Sequence, residues 1–267
     1  MPGKFNDSAR SVDALTIGVA PAESLIGRVS PGRRRRRNDW RQGGRSVEKW
    51  DSRVLAVALL GLGAGILGAG LANVLLPSAP IVSTLALWSG LIAATAFAFL
   101  RSRPAGLMRI RPTDLLWGFG LGLMLRVLQG WVSGADTAAF PSTSSATGAA
   151  DASWWLMQLL PAGLIGPVVE EFFFRAVLIV AVYQLLRRSV GPAAAAVTAL
   201  LVSAGIFVML HGMRGILLLN DGLVFFAVGA ACGLVVLLTG RLWGAVLLHM
   251  VYNVSYLLLV LVGAALA

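Results

Sequence analysis

Seven apolar windows dominate this chain, each long enough for a helix to cross a hydrocarbon core, which takes about 20 residues. They fall near 54–76, 81–100, 113–132, 154–186, 192–219, 221–239 and 243–265. Uninterrupted apolar runs of that length pair their backbone groups internally only as helices. Composition agrees, since 57% of the residues are hydrophobic and 13% charged, against about one quarter charged in soluble domains. The expected fold is all-α: a polytopic helical protein of the cell membrane with about seven transmembrane helices.

Charge is distributed unevenly along the chain. Residues 1–53 hold 12 of the 22 Lys and Arg and 6 of the 12 Asp and Glu, without a sustained apolar period. Such a segment buries too little apolar surface to offset its ordering entropy, so a disordered basic cytoplasmic tail is expected over 1–53. No apolar core follows a short basic start, which excludes a signal peptide. The block Arg33, Arg34, Arg35, Arg36 and Arg37 reads first as a topology anchor. It is also a candidate contact for anionic membrane lipid, at about 1 kcal/mol per near-surface charge; nucleic acid is not an expected partner. The single cysteine, Cys232, rules out a disulfide framework and a cysteine-rich metal site.

The remaining arginines test the span count. With the tail inside, the loops at 101–112, 187–191 and 240–242 are cytoplasmic, and they carry Arg101, Arg103, Arg109, Arg111, Arg187, Arg188 and Arg241. The opposite loops at 77–80 and 133–151 carry no Lys or Arg, and only Arg214 can fall on that side. This matches the positive-inside rule and puts the carboxy terminus outside. The chain divides into the tail, three accessory spans (54–132), an extracytoplasmic loop (133–151) and a four-span region (152–267). The small-residue run GLGAGILGAG at 61–70 suits close helix approach, within the chain or between copies. Among the first three spans, Arg126 is the ionisable side chain at depth.

Charged groups inside a membrane cost roughly 2.5–3.5 kcal/mol each on the mild insertion scale and face the protein interior or a wet cavity. The fourth window nevertheless contains PVVEEFFFR, with Glu170, Glu171 and Arg175. Glu171 and Arg175 are four apart and share a helix face, acid first, while Glu170 points about 100° away. One carboxylate is neutralised and the other is left for chemistry. Both histidines lie in later spans: His211 closes FVMLH and His249 opens HMVYN, one turn before Asn253. Counted from outer ends near 154, 219 and 265, Glu170 lies ~24 Å down, His211 ~12 Å, Asn253 ~18 Å and His249 ~24 Å. Convergence requires the fourth helix to start near Trp154 and run on through Pro161, bent there.

This set of groups suits water activation. A carboxylate whose charged form is desolvated is a stronger base, a histidine can orient the water, and a second histidine with an amide can stabilise an oxyanion. No HExxH is present, and no cofactor or metal is required, although Glu with two His is also a zinc-like ligand set.

EEFFFR fits EExxxR, FVMLH fits FxxxH and HMVYN fits HxxxN, in that order. In these motifs residues 155–256 resemble the CAAX protease and bacteriocin-processing (CPBP) family, intramembrane glutamic endopeptidases related to the CAAX prenyl endopeptidase. The resemblance implies a catalytic four-helix core, with Glu170 as general base and His211 positioning the water. It implies His249 and Asn253 as the oxyanion site, with Glu171, Arg175 and Phe207 in support. The implied function is hydrolysis of a peptide bond in a membrane-associated, or lipidated, peptide or protein. Two other readings stand beside it: a non-enzymatic scaffold, transporter subunit or bacteriocin-immunity protein with a structural polar cluster, and a metal-dependent membrane hydrolase. On the charge pattern, a reporter fused after Ala267 is expected to report an extracytoplasmic location; a cytoplasmic signal would put the span count wrong by one.

Overall fold

The computed structural model describes residues 50–142, 155–213 and 218–266. The tail with Arg33 to Arg37, loop residues 143–151, Trp154 and Arg214 lie outside the described residues. Helices α1 (Ser52–Leu75), α2 (Pro80–Arg101) and α3 (Pro112–Val132) come first. A continuous helical run, α4, follows as Trp155–Ile165, Gly166–Glu171, Phe172–Leu178 and Ile179–Leu186. Then come α5 (Pro192–Gly212), α6 (Leu219–Thr239) and α7 (Trp243–Leu266). Among the described residues there is no strand. Six of these helices, all but α4, are individually long and apolar enough to cross a membrane. With α4 the protein is an all-α, multi-pass membrane protein of six to seven spans.

Local chemistry sets the helix ends. Pro80, Pro112 and Pro192 open α2, α3 and α5, where a missing N–H costs nothing because the first turn cannot pair it. Asp51 accepts a hydrogen bond from the Arg53 N–H at 3.1 Å at the head of α1, and Asp114 accepts from the Arg111 N–H at 2.8 Å at the head of α3. Gly240, at φ 70°, stops α6 in the left-handed conformation that glycine adopts without a Cβ penalty.

The fourth helix passes through Pro161, as the depth count requires. Proline removes one backbone hydrogen bond and crowds the preceding turn. Here Trp155–Ile165 is π-helical, and a second π-helical stretch, Phe172–Leu178, follows the two glutamates. From Phe173 to Tyr183 every residue is buried, so this part of α4 is the centre of the bundle. One expected boundary is corrected: α5 ends at Gly212, not near 219. Hydropathy runs on through this region, but glycine is a weak helix former. His211 therefore sits in the last turn of its helix.

The glycines of α1 serve contact within the chain. A Cβ on Gly90 of α2 would lie 2.2 Å from the Gly61 carbonyl oxygen and 2.9 Å from the Gly65 Cα. Gly118 and Gly122 let α3 lie against Leu247, Leu248 and Val251 of α7 in the same way. The arginine-bearing loops gather at one end. Leu242 N–H donates to the Leu107 carbonyl (2.9 Å), Trp243 Nε1 to that of Met108 (3.1 Å), and Arg241 Nε to the fully buried Asp114 (2.8 Å).

The α1–α2 contact yields a stability prediction. Gly90→Val forces a side chain into the Gly61 backbone and should cost about 1–3 kcal/mol, the usual range for overpacking. Gly70→Ala meets nothing within 4 Å and should leave stability unchanged or raised. Thermal unfolding of the two variants in detergent compares them.

Candidate active site

Glu170 and Glu171 lie on the short α-helical piece of α4 between its π-helical stretches, and both are buried. Adjacent residues on a helix diverge by about 100°, and the two carboxylates meet different surroundings. Glu171 faces inward. Its Oε1 lies 2.9 Å from Arg175 Nη1 and 2.9 Å from His249 Nδ1. Arg175 Nη2 donates to the Gly229 carbonyl of α6 at 3.0 Å, and its guanidinium carbon lies 4.9 Å from the Phe207 ring centroid and 5.5 Å from that of Phe174. Glu171 and Arg175 are both fully buried. A charge in such a place persists only with compensating partners, and this pair draws them from α4, α5, α6 and α7.

Glu170 faces a cavity of about 640 Å³ that His211, Asn253, Trp88, Pro167 and Gln158 also line. His211 Nε2 stands 3.9 Å from Glu170 Oε2. On the other side of the ring, Nδ1 lies 2.9 Å from the Phe207 carbonyl oxygen. A carbonyl only accepts, so Nδ1 carries a proton and the Nε2 of a neutral ring is an acceptor directed at Glu170. The Phe207 ring contacts both imidazoles, with centroids 4.3 Å from His211 and 5.5 Å from His249.

Asn253 is held by a consequence of proline chemistry. Its Nδ2 donates to the Ala162 carbonyl at 2.8 Å. A π-turn would supply that oxygen with the N–H of residue 167, but Pro167 has none. The amide of α7 fills the vacancy, and its second N–H remains to be offered elsewhere.

The structure thus brings Glu170, His211 and Asn253 to one cavity wall. It places Glu171, Arg175 and His249 together behind that wall, and sets Phe207 between the histidines. His249 is bonded to Glu171 and, unlike Asn253, is not among the residues lining the cavity. Among the described residues no three His, Cys, Asp or Glu side chains group to hold a metal ion.

Several contributors escape sequence reading. Trp88 comes from α2, distant in the chain, and Gln158 from the π-helical start of α4, neither with a motif around it. Arg126 did leave a signal, an isolated charge in an apolar span. Its Nη2 donates to the Tyr252 carbonyl and its Nε to Ser255 (3.2 Å), with its guanidinium 4.0 Å from the Tyr252 ring centroid and a further hydrogen bond to Gln129. The peptide that it grips is the one joining Tyr252 to Asn253.

These features define a multi-pass helical membrane protein with a buried Glu–Arg–His network behind a Glu–His–Asn cavity. Residues 152–255 match the family model described as Type II CAAX prenyl endopeptidase Rce1-like. Comparison with curated proteins and with solved structures gave no match.

The two glutamates should respond differently to substitution. Arg175→Ala strands the Glu171 charge, and breaking a buried pair costs ~3–5 kcal/mol, so expression and detergent stability should fall. Glu170→Gln keeps its shape at the cavity wall and should unfold at nearly the wild-type temperature. Equal loss in both variants would remove the distinction.

Proposed function

We propose that this protein is an intramembrane endopeptidase that hydrolyses a peptide bond of a membrane-associated peptide or protein by means of water activated by Glu170. The observation that carries the reading is the approach of His211 Nε2 to Glu170 Oε2 at 3.9 Å on a cavity wall shared with Asn253. A water about 2.8 Å from both atoms, a normal hydrogen-bond length, subtends roughly 90° between them.

In this reading Glu170 takes a proton from that water as the oxygen attacks the scissile carbonyl carbon, and His211 orients the water through its Nε2 lone pair. The carbonyl oxygen becomes an oxyanion, and the second N–H of Asn253 donates to it. The proton held by Glu170 then passes to the leaving nitrogen as the C–N bond breaks, which restores the carboxylate. Behind the wall, Glu171 and Arg175 hold the α4 turn. His249, bonded to Glu171, fixes the turn of α7 that presents Asn253, which gives it a positioning role. Arg126 supports the same turn from α3.

The cytoplasmic placement of the tail and the extracytoplasmic placement of the carboxy terminus belong to the same proposal. Their support is the gathering of arginine-bearing loops at one end of the bundle.

Turnover and binding measured separately in detergent test the reading. Glu170→Ala and His211→Ala should abolish most cleavage with peptide binding largely kept. Asn253→Ala should lose ~100–1000-fold in turnover, the usual cost of one oxyanion donor. Because the residues serve one transition state, Glu170→Ala combined with Asn253→Ala should be scarcely worse than Glu170→Ala alone, and chelators should leave wild-type turnover unchanged. A Glu170→Ala variant as active as wild type would favour the scaffold reading, and activity lost to a chelator and restored by zinc the metal-dependent one.

A further inference from the structure

The cavity in front of Glu170 enters from one end of the bundle, and the arginines stand at the other. Along α4 its wall passes from exposed Gln158 and Ala162 to buried Gly166, Pro167 and Glu170, a run of at most about 18 Å. Across from it the wall begins at exposed Ser78 and Pro80, in the turn between α1 and α2, and reaches Trp88 two turns into α2. These entrance residues belong to the end where α1 finishes and α4 begins. Among the described residues, the connections at that end carry no Lys or Arg, only Asp136 as a charge outside the helices. The opposite end holds Arg53, the loop from Arg101 to Arg111, Arg187, Arg188 and Arg241, with the loop and the Arg241 turn tied together by the Asp114, Leu107 and Met108 contacts.

Basic residues near the ends of spans stay on the cytoplasmic side, so the arginine end faces the cytoplasm and the cavity entrance faces away from it. We propose that the site takes its substrate from the extracytoplasmic side, as a polypeptide segment of a membrane-anchored protein lying in or against the outer leaflet. Apart from Glu170 and His211, the described lining is uncharged (Ser78, Thr84, Trp88 and Gln158 among it). A charge taken into such a wall would lose its hydration without a partner, so the segment is uncharged. The word substrate rests on the proteolytic reading above; the side of entry does not.

The experiment uses the full chain in intact cells and has two arms. In the first, Ser78→Cys at the entrance and Ser189→Cys in the Arg187–Arg188 loop are exposed to a membrane-impermeant maleimide; native Cys232 is fully buried. Ser78→Cys should be labelled in intact cells and Ser189→Cys only after permeabilisation. The reverse pattern overturns the proposal. In the second, single-span reporters carry one uncharged linker either outside or inside the membrane. The outside reporter should be cut, and Glu170→Ala should reduce cutting to background. Glu170-dependent cutting of the inside reporter alone overturns the side of entry and leaves the proteolytic reading intact. Neither reporter cut, with Ser78→Cys reached from outside, defeats the proteolytic reading and the proposed substrate while the side of entry stands.

Discussion

Two fully buried charges, Glu171 and Arg175, set the terms for the rest of the bundle. Removing an ion from water costs several kcal/mol even after relaxation, so each needs close partners. The pair finds them in the Gly229 carbonyl of α6, the His249 imidazole of α7 and the aromatic faces of Phe174 and Phe207. These contacts, made to three other helices, hold α4 in its rotation. Glu170, the preceding residue, is thereby turned about 100° towards the cavity and His211. Structure and proposed chemistry are thus divided between adjacent carboxylates.

Irregular helix geometry does comparable service on the outer side of α4. Pro161 and Pro167 both interrupt its hydrogen-bond ladder, and π-helical turns lie on either side of the glutamates. Local π-helix is frequent at functional sites because it redirects side chains and releases carbonyl groups. The released Ala162 carbonyl holds Asn253 at the cavity, so a defect in one helix fastens another. Arg126 secures the same segment of α7 from the far side through the Tyr252 carbonyl. Asn253 is therefore fixed from two helices, the preorganisation that a donor aimed at developing charge requires.

Much of this was legible in the sequence, for identifiable reasons. The seven windows emerged because apolar length is a property of consecutive residues, and the proline and glycine punctuation at Pro80, Pro112, Pro192 and Gly240 acts within a single turn. The Glu171–Arg175 contact was visible because four residues is one helical turn whatever surrounds it, and the three motifs on α4, α5 and α7 marked the segment that the family model matches. What only the tertiary structure decided depends on how separate helices are staggered and rotated. Depth counting set Glu170 level with His249, and the contact of His249 with the adjacent Glu171 keeps that level. But it treats helices as aligned rods, and so it missed the early end of α5 at Gly212 and which of the two carboxylates His249 meets. Whether Gly61 and Gly65 serve a neighbouring copy or this chain was equally open until Gly90 appeared against them. Trp88 at the cavity and the grip of Arg126 on Tyr252 left no pattern to read, because a contact between residues some eighty or more positions apart is a fact about packing, and packing is absent from any local run of the chain.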